Sequence, residues 1–435
     1  MRLRRLFALT CFYLCLSSAV AAQNLEFERS RHKDMLKFVK DDVKKNYFDP
    51  TFRGIDLEAN HKIAVEKMEK AQSIGQMSGI IAQFLIDFDD SHLFFLPPGK
   101  ANKTDYGFTF RMAGRKCFVV SVDKKSDAEK LGLHVGDELL AIEGFQPTRE
   151  TLWKIQYLLY RLRPQLGLNV IAVKPDGREL TYAVPAKIKQ GKRVMNLTGN
   201  DWNDYVREAE DSYRNRVKQY VYDGLDGVFI WKMPSFSLEP IRVDEIMGKA
   251  KKAPALIFDL RGNGGGRVDM VLRLIGNVLD QDVKVADEKR RKETKELVAK
   301  SRGDDAYKGK IVVLIDSGSA SASEVFSRVI QLEKRGIVLG DQSAGAVMES
   351  KYFGRQMGLD TIIMFGSSIT IADLIMKDGK SLEKTGVMPD ITIIPTGKDV
   401  AARRDIVLSK ALESLGLKVS PEAAGAIFPE EEDSN

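Results

Sequence analysis

A chain of 435 residues, 43% hydrophobic and 29% charged, has the composition of an ordinary soluble globular protein with room for two or three cores. The formal charge of +6 is spread along the chain, and Arg2, Arg4 and Arg5 contribute to it with no acid nearby. The remainder is too weak and diffuse for a nucleic-acid partner, and no RNA- or DNA-binding motif accompanies it.

Behind those arginines come an apolar run, Leu6–Leu16, and the small residues Ser17, Ser18, Ala19, Val20, Ala21 and Ala22. This is the order of a secretory signal, with small residues where signal peptidase reads. An uncleaved anchor is the alternative, but the run is short against the roughly 20 residues of a spanning helix. Residues 1–22 are therefore read as a signal peptide. The mature chain is expected to be exported, periplasmic or extracellular, without a stable membrane anchor. Cys11 and Cys15 fall inside the signal, which leaves Cys117 without an internal disulfide partner. No CxxC or HExxH spacing occurs and the chain has four histidines, so no metal and no other cofactor is expected.

Residues 23–100 read as a helical N-terminal segment. Met35, Phe38, Val39 and Val43 fall at helix spacing, as do Met77, Ile81, Phe84, Leu85 and Phe88. Tyr47-Phe48-Asp49-Pro50 breaks the pattern, because a residue before proline avoids the helical region. Asp90-Ser91-His92 then leads into a short extended piece closed by Pro97-Pro98.

From 101 to 186 the texture is β. An apolar run, Phe118–Val122, precedes a short helix ending at Gly132, a turn at Gly136-Asp137, a strand to Ile142 and a tight turn at Glu143-Gly144. Ala128, Gly132, Leu133, Gly136, Asp137, Ile142 and Gly144, with Leu139 in place of an isoleucine, resemble the pattern of a PDZ domain. That resemblance implies a carboxylate-binding loop at Tyr106, Gly107 and Phe108, whose backbone N–H groups would face a peptide C-terminus added as a strand. The plainer alternative is a β-domain that only spaces its neighbours. Residues 187–225 are rich in charge and read as a solvated linking helix.

After Gly227 short apolar runs of buried-strand type (228–231, 255–258, 311–315, 337–339) alternate with helices over Val268–Leu279 and Ala322–Lys334. Residues 281–308 are polar enough for a lid or surface hairpin, and 398–435 read as a C-terminal helix and acidic tail. Two motifs stand at strand ends. In Asp259-Leu260-Arg261-Gly262-Asn263-Gly264-Gly265-Gly266 the glycines let backbone N–H groups point at an anion. Dinucleotide and P-loop spacings both fail, since Arg267 stands where the last glycine would fall and no Gly-Lys-Ser/Thr follows. In Asp316-Ser317-Gly318-Ser319-Ala320-Ser321-Ala322-Ser323-Glu324 a serine at a helix start is exposed where developing negative charge is favoured. Taken alone, such a serine is better explained by helix capping, with Glu324 in the first turn.

The order of these motifs, followed by Gly386-Val387-Met388-Pro389-Asp390, resembles the C-terminal-processing (S41) peptidases with a PDZ domain. Phe229–Phe236 and Tyr47–Pro50 resemble that family too. The resemblance implies an α/β ClpP/crotonase-like core over 187–397, an inserted β-rich PDZ domain, Ser321 as nucleophile, and the N–H groups of Gly265 and Ala322 as oxyanion donors. Many members use a lysine base, but its place here is taken by Ala346, which cannot accept a proton; Lys351 lies nearby in sequence. The tricorn-type branch uses a histidine instead, and Ser91-His92 and Glu383 match its pattern. His92 would then be the base, with Ser91 and Glu383 orienting it. The implied partners are protein substrates, engaged through C-terminal tails. The rival reading is a PDZ-containing binding protein that kept the fold and lost catalysis.

Overall fold

The computed structural model describes residues 25–99, 102–190, 219–225, 227–358 and 363–428. The signal segment and the acidic tail lie outside them. The chain divides into two compact units. One takes the residues up to Gly99 with Tyr157–Pro164 and Ser350–Ala372; the other takes Lys100–Gln156, Gln165–Glu349 and the residues from Asp373 on.

The first unit is built on helices α1 (25–46), α2 (Leu57–Glu69) and α3 (Ile74–Ile86), followed by strand β1 (Phe94–Leu96). Helix α3 starts where the Ser73 hydroxyl accepts the Gln76 N–H, a side-chain cap for an otherwise orphaned donor. Its apolar face, Met77, Ile81, Phe84 and Leu85, is buried against Met35, Val39 and Val43 of α1. Phe38, which shares the helical spacing, is 39% exposed; Leu36 fills the core instead. Two later strands, β16 (Met348–Met357) and β17 (Ile363–Met376) by their place in the chain, contribute to this unit, and β1 runs antiparallel to β17 with Phe95 opposite Ser367.

The second unit carries a five-stranded antiparallel sheet and a six-stranded, mostly parallel one. The five-stranded sheet runs in the order β3 (Phe108–Ala113), β4 (Lys116–Val122), β5 (Glu138–Ile142), β6 (Gly167–Val173) and β7 (Glu179–Pro185). Helices α4 (Asp127–Lys130) and α5 (Leu152–Tyr157) lie between its strands in sequence. Strand β3 alternates buried Phe108, Phe110 and Met112 with exposed Thr109 and Arg111, the period-2 pattern of a sheet with one wet face. The Cys117 thiol is buried in β4. The charged stretch 187–225 does not begin or end as a helix. Lys187–Gln190 is strand β8, paired with β2 (Asn102–Asp105), and Tyr220–Leu225 is strand β9, paired with β10 (Val228–Lys232). Available sheet edges outweigh the polar composition there, since each gives backbone groups a partner. The middle of that stretch lies outside the described residues.

The six-stranded sheet has the order β18 (Ile391–Thr392), β15 (Ile337–Gly340), β14 (Lys310–Ile315), β11 (Ala255–Asp259), β10 and β9. All neighbours are parallel except β9 with β10. Alternate strand residues feed two cores. Phe229, Trp231, Leu256, Phe258, Val313 and Val338 pack against α6 (Pro240–Ala250), α7 (Val268–Val278) and α8 (Ala322–Leu332). Ile230, Ile257, Val312, Leu314 and Leu339 pack on the other face, against residues of α10 (Ile406–Ser414). Burial on both faces explains the unbroken apolar runs in the sequence. Residues 281–308 do form a hairpin, β12 (Val283–Arg290) with β13 (Thr294–Ala299), but Val283, Val285, Ala286 and Ala299 join the first core. Their alternation with charged residues hides that burial in a composition count. Short helices α9 (Gly397–Ala401) and α11 (Pro421–Gly425) complete the C-terminal part.

Candidate active site

Three adjacent parallel strands, β11, β14 and β15, end side by side, so the loops that follow them meet at one edge of the sheet. This is the edge at which open α/β sheets build their sites. The loop after β14 carries Ser321, which caps α8 with φ 55° and ψ −117°. A serine at positive φ is strained, and a sharp strand-to-helix turn of this kind thrusts its side chain off the backbone. The Ser321 N–H donates to Ala346 O (2.9 Å) and to Glu324 Oε2 (3.0 Å), which fixes that conformation.

Glycine is obligatory opposite this turn. Gly265 sits at φ +95°, and a Cβ there would fall 2.6 Å from Ser321 Cβ and 3.0 Å from Ala322 N. The structure thus brings together Ser321, Ala322 and Gly265. The Gly265 N–H itself donates to Asn263 Oδ1 at 2.9 Å. Asn263 is fully buried and links the two loops: its Nδ2 donates to Met233 O, and its own carbonyl accepts from Ala320 N–H and the Ser323 hydroxyl. The Asp259-Leu260-Arg261 part of the motif is structural. The Arg261 guanidinium donates to both carboxylate oxygens of Asp259 and of Asp405, tying the loop to the start of α10.

Glu324, in the first turn of α8, is the residue that a reading of capping motifs undervalues. Its carboxylate is fully buried and accepts four hydrogen bonds. Ser343 Oγ (2.6 Å) and Gly345 N–H (2.8 Å) donate to Oε1; Ala346 N–H (3.0 Å) and Ser321 N–H (3.0 Å) donate to Oε2. Burial pushes its pKa up to about 7, against the pull of those four donors. Only a carboxylate can accept all four. The glutamate's distance in sequence from Ser343–Ala346 is what conceals it. Ala346, at the position of the expected lysine, contributes backbone alone. Glu383 meets the end of this loop, where its Oε2 accepts the Val347 N–H at 3.0 Å.

The five-stranded sheet is fastened to these loops within the second unit. Arg111 Nη1 donates to Asp316 Oδ2 (2.8 Å), Ser317 Oγ to Met112 O (2.7 Å) and Gly114 N–H to Asp341 Oδ2 (2.7 Å). Arg149 adds hydrogen bonds to Asp341 Oδ2 (2.9 Å), Gln342 O and Ser343 O (3.0 Å). In the loop expected to bind carboxylates, the side chains of Tyr106 and Phe108 are buried in the sheet's own core. The Gly107 N–H donates to Asp105 Oδ1 at 2.9 Å, and Lys189 faces the other Asp105 oxygen at 3.0 Å.

Ser91 and His92 belong to the first unit. His92 Nδ1 and Ser91 Oγ lie 2.8 Å apart. With the proton on Nδ1, donated to Ser91, the other ring nitrogen keeps its lone pair free for a proton. Burial lowers the His92 pKa from its ordinary value, and the charge of Asp90 works against that shift. Lys351 is exposed on β16, its ammonium 5.7 Å from the Phe353 ring centre. Among the described residues no group of three or more His, Cys, Asp or Glu side chains could hold a metal ion, and no helix is long and apolar enough to cross a membrane.

The fold and the strained serine define a class, a parallel α/β core that presents one serine hydroxyl beside a glycine-rich turn. Residues 230–393 match peptidase family S41. The chain is 26% identical to the tail-specific protease of Haemophilus influenzae over 77% of this chain and 48% of that protein. It is 22% identical to the carboxy-terminal processing protease CtpB of Bacillus subtilis over 77% and 66%. The chain spans less than two thirds of the length of either relative. Its fold is similar to that of mature CPAF, with a TM-score of 0.65 at 15% identity, over 86% of this chain and 94% of the other. The photosystem II D1 C-terminal processing protease gives 0.50 at 17%, over 83% and 93%.

Proposed function

We propose that the chain is an exported serine endopeptidase that cleaves unfolded proteins or protein C-terminal tails, with Ser321 as nucleophile and His92 as base. The observation that carries this reading is the Ser321 turn, a serine held at positive φ at the head of an 11-residue helix. Capping alone needs no such strain.

In the reaction His92 takes the Ser321 proton as Oγ attacks the scissile carbonyl. The tetrahedral intermediate collapses when His92 gives that proton to the leaving amine, and water then releases the acyl group by the same route. Ser91 and Glu383 orient the imidazole. The Ala322 N–H, at the helix start, is one oxyanion donor. Gly265 is the second once its N–H leaves Asn263 Oδ1. The sheet over 101–186 acts as the PDZ domain that presents the tail, and recognition at 106–108 falls to backbone, since both aromatic side chains are buried.

Digestion of an unstructured protein by the mature chain tests this, beside Ser321→Ala and His92→Ala and with a chelator present. Loss of cleavage in both variants is expected. Survival in His92→Ala alone would return the base to a lysine, with Lys351 the first to replace. No cleavage by the unaltered chain would favour a binding protein that kept the fold without the chemistry.

A further inference from the structure

The Tyr47-Phe48-Asp49-Pro50 break between α1 and α2 has no part in the chemistry so far, yet it builds the cradle of the histidine loop. Tyr47 is fully buried, and its hydroxyl donates to Asp90 Oδ2 at 2.9 Å. The Phe48 N–H donates to Thr370 O (3.0 Å), which places the Thr370 hydroxyl to donate to Asp90 Oδ1 (2.7 Å). Asp49 folds the next turn by accepting from Thr51 N–H (2.9 Å) and Arg53 N–H (2.8 Å). Arg53 then donates to Asp89 O at 2.6 Å and stands 3.7 Å from Asp90 Oδ2. Asp89 itself is at φ 49°, a strained conformation for a non-glycine residue.

These contacts converge on one fully buried side chain, that of Asp90. Its Oδ1 also accepts the His92 N–H at 3.0 Å, so the carboxylate grips the backbone of the residue that bears the imidazole. A buried carboxylate is costly unless its lone pairs are filled. Here they are filled by groups from the break after α1, from β17 and from the histidine loop.

We infer that Tyr47, Asp90 and Thr370 are positioning residues, a buried clamp that holds the Ser91–His92 pair in its working geometry. The inference rests on His92 being the base. Displacement of a catalytic group by about 1 Å can cost on the order of 10²-fold in rate, and a clamp made of three hydrogen bonds to one side chain resists such displacement. The charged groups around the loop are Asp49, Asp89, Asp90 and Arg53, with Tyr47 the other titratable one.

The test compares Asp90→Asn, Thr370→Val, Thr370→Ser and His92→Ala with the unaltered chain on an unstructured protein, and follows the His92 ring titration by NMR. The His92 signal is the one that disappears in His92→Ala. Asp90→Asn and Thr370→Val are expected to lower kcat by about 10- to 10²-fold with KM within about twofold, and Thr370→Ser to restore it. In Asp90→Asn the His92 titration moves to lower pH, because the one charge that opposes burial is gone. Unchanged kcat in both variants together with an unmoved titration overturns the clamp. If His92→Ala keeps full activity, the base assignment fails instead, and the titration alone decides whether Asp90 governs His92. Thr370→Val against Thr370→Ser keeps the question open to refutation should Asp90→Asn fail to fold.

Discussion

The serine loop and the histidine loop are held by opposite means. Around Ser321 the grip is mostly backbone: four donors, three of them main-chain N–H groups, converge on the buried Glu324 carboxylate. Around His92 the donors to the buried Asp90 are two side-chain hydroxyls and one main-chain N–H. Backbone donors survive most substitutions, so the serine loop depends on its glycines and on one acid. The histidine loop depends on the identity of several distant side chains. Each loop therefore breaks in its own way.

The largest effect expected is from Ser321→Ala, a loss on the order of 10⁴-fold or more in kcat if the hydroxyl is the nucleophile. Gly265→Ala comes next, because its Cβ would sit 2.6 Å from Ser321 Cβ in a backbone conformation that side chains rarely adopt. A loss of roughly 10²- to 10³-fold, the cost of a missing oxyanion donor, is expected in steady-state cleavage.

Glu324→Gln sharpens the contrast through pH. The Glu324 carboxyl is raised to about 7, and His92 lies below its ordinary 6.5. If His92 is the base and the serine turn needs the Glu324 carboxylate, the acid limb of kcat/KM carries two protons, one near pH 7 and one lower. The variant should keep only the lower limb, on a reduced plateau. Stability responds to the two groups with opposite sign. The folded chain holds the Glu324 proton more tightly than the unfolded one, which favours the fold at low pH and fades as pH rises through 7. The folded chain holds the His92 proton less tightly, which favours the fold above 6.5 and fades as pH falls. Urea titrations of Glu324→Gln and His92→Ala across this range separate the two.

Arg149→Ala is expected to cost about 1–3 kcal/mol in urea unfolding, since it strips partners from the largely buried Asp341 and two carbonyls. The smallest effect concerns Cys117. Burial pushes its thiol up to about 12, so thiol reagents should leave it unmodified at neutral pH until the chain unfolds.

The serine turn was legible because its determinants are local: a strand, a glycine cluster, a serine at a helix start. The parallel sheet was legible from its unbroken apolar runs. Glu324 and Asn263 were not, because neighbours in sequence do not reveal that one meets Ser343 to Ala346 and the other meets Met233 and Ser323. The same holds for Asp90, whose partners Tyr47 and Thr370 lie 43 and 280 residues away. The strands at 187–190 and 220–225 escaped notice for a related reason, since edge pairing depends on a partner that the segment's own composition does not show.

The proposed mechanism makes Ser321 a nucleophile activated by His92. Reaction of the mature chain with a fluorophosphonate probe, followed by peptide mass spectrometry, reads this directly. A single adduct on Ser321 is expected, absent in Ser321→Ala and slowed by orders of magnitude in His92→Ala. Labelling of Ser321 at the same rate without His92, or no adduct on Ser321 at all, would contradict it.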